Sequence, residues 1–77
     1  MDSRAIENTL RAEIESARTS DDLEALRLRY LGRKGLITAY LHGIKDADPA
    51  ERPRIGAEAN RLKALCESLL DARALSF

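Results

Sequence analysis

The apolar positions of this chain fall into three stripes with helical spacing. Ile6, Leu10, Ile14 and Ala17 recur at intervals of four and three, which puts them on one face of an amphipathic helix. That spacing predicts a first helix over 4–18, with Glu7 and Arg11 forming an i,i+4 pair on its outer face. Leu23, Tyr30, Ile37 and Ile44 then fall seven apart, and Leu26 and Leu41 widen their stripe. Thr19 or Ser20 caps this second helix, and Asp21 and Asp22 follow where the helix dipole favours acids. The heptad keeps one phase on both sides of Gly32-Arg33-Lys34-Gly35. A shared phase favours a single helix over 21–44. The two glycines cost roughly 1 kcal/mol each against Ala, so a break at 32–35 is the alternative.

The segment 45–52 reads as a turn. Asp48, Pro49 and Glu51 supply an N-cap, a first-turn proline and a capping-box partner. Pro53 has no N–H to donate, so either the first turn is kinked or the regular helix starts at 53 and runs over 53–76. Ile55, Leu62 and Leu69 form its heptad, with Ala59, Leu65, Cys66 and Ala72 between them. Two helices of about 24 residues, each about 36 Å long, joined by a short turn, predict an all-α fold. The expected form is an antiparallel coiled-coil helical hairpin in which facing residue numbers sum to about 97. Leu26 then lies opposite Leu69 and Leu70, Tyr30 opposite Cys66, Ile37 opposite Ala59 and Asn60, and Leu41 opposite Ile55 and Gly56. The short N-terminal helix is expected to pack at the open end, around Leu23, Leu69 and Leu75. Residues 1–77 make one domain, and the helical pattern still runs at Leu75-Ser76-Phe77, as in a piece of a longer protein.

Composition narrows the function classes. A chain of 77 residues buries only roughly 60% of its unfolded surface. Val and Trp are absent, and Tyr30, Tyr40 and Phe77 are the only aromatics. No apolar run reaches membrane-spanning length, and no secretory signal pattern opens the chain, so a cytoplasmic module is expected. One cysteine cannot close an internal disulfide, and no metal-ligand spacing occurs. His42, the single histidine, reads as a solvated side chain, and Cys66 as a small apolar filler without an activating base. Catalysis has no support. Tyr30 reads as a core residue with its hydroxyl at the surface, Tyr40 as a more exposed contact, and Asn60 as a polar residue fixing register at the seam.

Charge adds the one strong local signal. The chain carries 13 bases and 13 acids, yet no acid falls between Glu24 and Asp46. Arg27 and Arg29 lie opposite Glu67 and Asp71 in the expected register and are consumed there. Arg33 and Lys34 lie opposite Arg61 and Lys63, in a girdle that no acid of the hairpin neutralises. These four, with Lys45, Arg52 and Arg54 nearer the tip, are the candidate phosphate contacts. Gly32 and Gly35 are expected to let a partner helix or a ligand backbone come close. The Gly-x-x-Gly segment lacks the strand and remaining residues of a phosphate loop.

Tyr30-Leu31-Gly32-Arg33-Lys34-Gly35, followed by Glu51-Arg52-Pro53-x-x-Gly56-x-x-x-Asn60, strongly resembles the N-terminal domain of bacterial phenylalanyl-tRNA synthetase alpha subunits. The resemblance covers about residues 20–75. It implies a helical arm that grips tRNA outside the catalytic core of an α2β2 ligase with a beta subunit as partner. It also implies ATP and Mg²⁺ for the full enzyme. No class II catalytic motif lies in these residues, so no catalytic or metal site is expected on this segment. The rival reading is a protein–protein module in which the hairpin binds another helix or a second copy.

Overall fold

The computed structural model describes residues 3–77. Its elements are α1 (Ser3–Ser16), α2 (Ser20–Leu31), α3 (Leu36–His42), a short 3-10 turn (Gly43–Asp46) and α4 (Arg52–Leu75). The described residues contain no strand, and the fold is all-α. Its extents are 43 × 18 × 16 Å.

α1 ends two residues earlier than the sequence predicts, because the next helix captures the backbone. Thr19 Oγ1 accepts from the Asp22 N–H at 3.1 Å, and Asp22 Oδ2 accepts from the Arg18 N–H at 3.0 Å. Two orphan amides are satisfied by side chains, which fixes Thr19 as the N-cap of α2.

The predicted single helix over 21–44 is broken into α2 and α3. Gly32 and Gly35 have ψ angles of 172° and 161°, both extended. The Gly32 carbonyl accepts from the Gly35 N–H at 2.8 Å and from Thr38 Oγ1 at 2.9 Å, closing a tight turn over Arg33 and Lys34. No glycine has positive φ. The glycines are there for close approach within the turn: a Cβ on Gly35 would meet the Tyr30 carbonyl oxygen at 2.5 Å, and one on Gly32 would collide with the Leu28 carbonyl oxygen. The close approach seen is to the chain's own backbone, whereas the expected one was to a partner helix or a ligand backbone. The turn nevertheless returns the chain to the same face, since Tyr30 and Ile37 are both buried.

The connection to α4 is also built differently. Asp48 offers its carbonyl, not its side chain: the N–H groups of Glu51 and Arg52 bond to it at 2.8 and 3.2 Å. Glu51, not Asp48, is the N-cap, and Pro53 takes the first turn, where its missing N–H is not needed.

Three contacts fix how α1 lies on α4. Ser3 meets Glu58, Glu7 meets Arg61 and Ala17 meets Arg73, so residue numbers differ by 54 to 56 throughout and the two helices run parallel. α2 runs the other way, with Arg27 and Asp71 3.7 Å apart, and Gly56 lies near the Ile44 side chain beyond the break. α1 therefore does more than cover an open end: it runs along α4 from Glu58 to Arg73. Leu75 is left 88% exposed, contrary to the expected cover, while Leu23 is buried.

The core is where the three stripes meet. Leu10, Tyr30, Leu62, Cys66 and Leu70 are enclosed, with Ile6, Ile14, Ala17, Leu23 and Ile37 around them. Each fully buried large side chain contributes about 1.5–3 kcal/mol. Tyr40 packs against this cluster, more covered than expected, and Asn60 is exposed instead of sitting at the seam.

Candidate nucleic-acid interface

The basic residues separate into paired and unpaired groups, and α1 supplies acids to two of the pairs. Arg61 is held on two sides, by Glu58 one turn back and by Glu7 of α1 at 2.9 Å. Arg29 pairs with Glu13 of α1 at 2.9 Å, not with an acid of α4 as expected. Arg54 pairs with Glu51 at 2.6 Å. Arg61 and Arg54, two of the predicted phosphate contacts, are thus ion-paired. Arg27 pairs with Asp71, as the facing rule expects. Arg33, Lys34, Lys63, Lys45 and Arg52 are exposed and form no ion pair among the described residues.

The pairs perturb their partners' protonation in the expected directions. Hydrogen bonds from Arg61 and then Arg11 hold the Glu7 carboxyl below the usual carboxylate range. Glu58 and Glu7 raise the Arg61 guanidinium further, and Glu51 does the same for Arg54. Burial, followed by the hydrogen bond to Glu13, pushes the Tyr30 phenol up. Its hydroxyl donates to Glu13 Oε1 at 2.6 Å, so α1 receives the one polar atom of an otherwise enclosed ring. Burial likewise pushes the Cys66 thiol up to about 11, which keeps it protonated and unreactive.

The unpaired cations lie at two levels of the arm. Arg33 and Lys34 are the two central residues of the turn between α2 and α3, opposite Lys63 in the antiparallel register. Lys45 and Arg52 flank the tip. Eleven residues separate Arg52 from Lys63, about 16 Å along α4. Arg52, Gly56, Asn60 and Lys63 follow at intervals of four, four and three, so the spaced residues of the second motif form one line along α4.

The Asn60 and Lys63 end of that line borders a groove between α3 and α4, whose other bank carries Leu31, Ile37, Thr38 and Leu41. Sequence reasoning missed this groove because its banks come from separate motifs. It also missed Glu7 and Glu13 as partners of the arm, although both flank the apolar stripe of α1 and so sit where neighbouring helices can be reached. Among the described residues no group of three or more His, Cys, Asp or Glu could hold a metal ion, and no helix is long and apolar enough to cross a membrane.

Comparison with known proteins accords with the motifs. The family described as "Aminoacyl tRNA synthetase class II, N-terminal domain" matches residues 18–76. The phenylalanine–tRNA ligase alpha subunit of Syntrophus aciditrophicus (strain SB) is 40% identical over 70 residues, covering 91% of this chain and 21% of that protein. The corresponding subunit of Moorella thermoacetica is 46% identical over 59 residues, covering 77% and 17%. That of Geobacter sulfurreducens is 45% identical over 60 residues, covering 78% and 18%. This chain thus spans about a fifth of the length of the relatives it matches. No solved structure matches it. From α2 to the end of α4, and with both glycine-bearing motifs inside the match, the chain belongs to the family of class II aminoacyl-tRNA synthetase N-terminal domains found in phenylalanine–tRNA ligase alpha subunits.

Proposed function

We propose that this chain is the tRNA-contacting arm of a phenylalanine–tRNA ligase alpha subunit. The observation that carries the reading is the distribution of unpaired charge. Arg33, Lys34, Lys63, Lys45 and Arg52 project from the α2/α3–α4 arm without acid partners, whereas Arg29 and Arg61 are neutralised by α1. A polyanion gains by counterion release only where cations are free, so it meets the arm along these five. The contacts are to phosphate and position the RNA without reading its sequence. The longer subunit, with its beta-subunit partner in an α2β2 assembly in the cytoplasm, supplies the ATP- and Mg²⁺-dependent attachment of phenylalanine. This segment supplies grip.

The test is tRNA binding by the full ligase as a function of salt. Replacing Arg33, Lys34, Lys63, Lys45 or Arg52 singly with Ala should weaken binding and flatten the salt slope by up to about one contact each. Arg54→Ala should change binding little. Equal losses for paired and unpaired residues, or none for any, would overturn the reading. The rival, a helix-docking module, draws on the exposure of Leu28 (64%) and Leu75 (88%). It predicts association that is insensitive to salt and lost on Leu28→Ala or Leu75→Ala.

A further inference from the structure

Two larger grooves lie against α1 and are lined by mixed charge, Glu13, Asp22 and Arg29 in one and Arg11, Glu15 and Arg73 in the other. The groove between α3 and α4 is smaller, about 160 Å³, and no acid lines it. Its first bank is Leu31, Ile37, Thr38 and Leu41, its second Asn60 and Lys63.

We propose that this groove is a subsite for one unpaired nucleobase of the bound RNA, with the Asn60 amide on the base edge and Lys63 on the adjoining phosphate. The inference rests on the RNA-binding reading above. It adds that the nucleotide presented at mid-arm comes from a loop or single strand, since a paired and stacked base could not enter.

Four observations carry it. The space, about 160 Å³, is on the scale of one planar ring. Leu31 and Leu41 give the ring faces apolar contact. The Asn60 side chain is exposed and has no hydrogen-bond partner among the described residues, so its adjacent donor and acceptor are available for the edge of a splayed base. Thr38 has already given its hydroxyl proton to the Gly32 carbonyl, which fixes it as an acceptor on the opposite bank. The turn that breaks the helix thus builds one wall, and the second motif builds the other, with cations at both: Arg33 and Lys34 follow Leu31 in the turn, and Lys63 lies one turn beyond Asn60.

The experiment uses the full ligase and tRNA carrying the fluorescent base 2-aminopurine at one unpaired position at a time. One position should change its emission on binding. Asn60→Ala should abolish that change and weaken binding roughly tenfold, with melting temperature and salt slope unaltered because no charge is lost. Asn60→Asp, of the same size, should bind more weakly still, since it replaces the donor and repels phosphate. Removing the base at the responding position should cost as much as Asn60→Ala, and the two together no more than either. Wild-type binding by Asn60→Ala, while Lys63→Ala and Lys34→Ala bind weakly, would overturn the subsite and leave the RNA-binding reading standing. Unchanged binding by all three variants would overturn both.

Discussion

A methyl group on Gly35 would meet the Tyr30 carbonyl oxygen at 2.5 Å and its carbon at 2.6 Å. Backbone cannot swing aside as a side-chain tip can. Gly35→Ala should therefore destabilise the domain by about 1–3 kcal/mol, read as a lower melting temperature. In a continuous exposed helix the same change would stabilise by about 0.4–1 kcal/mol, so the sign of the shift reports the break directly. The glycines were legible in the sequence. The partner that approaches them was not, because it is the chain's own backbone, placed there only once the turn has formed. Tyr30 and Cys66 carry a second prediction at this scale. Both groups hold their protons more tightly when folded, the thiol up to about 11 against an ordinary value of 9.0. Unfolding above pH 9 then releases protons, so stability is full below that pH and falls as pH rises towards 11. Melting followed from pH 8 to 11 should show this decline. Cys66→Ala should melt lower throughout but with a flatter slope, and Tyr30→Phe should remove the phenol's part at the alkaline end.

At the scale of elements, α1 pairs two of the arm's cations. Glu7 and Glu13 reach across to Arg61 and Arg29 from the flanks of a helix whose apolar stripe is buried. Glu7→Gln should release Arg61 from one of its two partners. Binding of the full ligase to tRNA should then tighten at low salt and its salt slope steepen by up to about one contact. An unchanged slope would show that Glu58 alone suffices to hold Arg61. The division of the second apolar stripe into α2 and α3 carries a lesson of its own. The heptad through Leu23, Tyr30, Ile37 and Ile44 predicted one helix, and the side-chain phase does persist. Phase reports the direction in which side chains point, not the continuity of the hydrogen-bond ladder. A four-residue turn that brings Ile37 back to the face of Tyr30 satisfies the pattern equally well.

For the whole molecule, the consequence is that the hairpin does not hold its core alone. Ile6, Leu10 and Ile14 of α1 are all buried, each contributing about 1.5–3 kcal/mol against a total stability of about 5–15 kcal/mol for a domain. A segment of residues 18–77 should lose its cooperative thermal transition, measured by helical circular dichroism, although it contains the whole family match. A sharp transition near that of the full segment would show that α1 is dispensable. What the sequence determined by itself was set by local chemistry: helical periodicity fixed which faces are apolar, Thr19 or Ser20 marked the start of the second helix, and the short turn made the arm antiparallel, bringing Arg27 to Asp71. What only the tertiary structure decided depends on groups more than fifty residues apart. α1 lies along α4, Arg61 is neutralised while Lys63 is not, and two separate motifs meet in one groove, because ion pairing and cavity shape exist only after distant helices have been brought together.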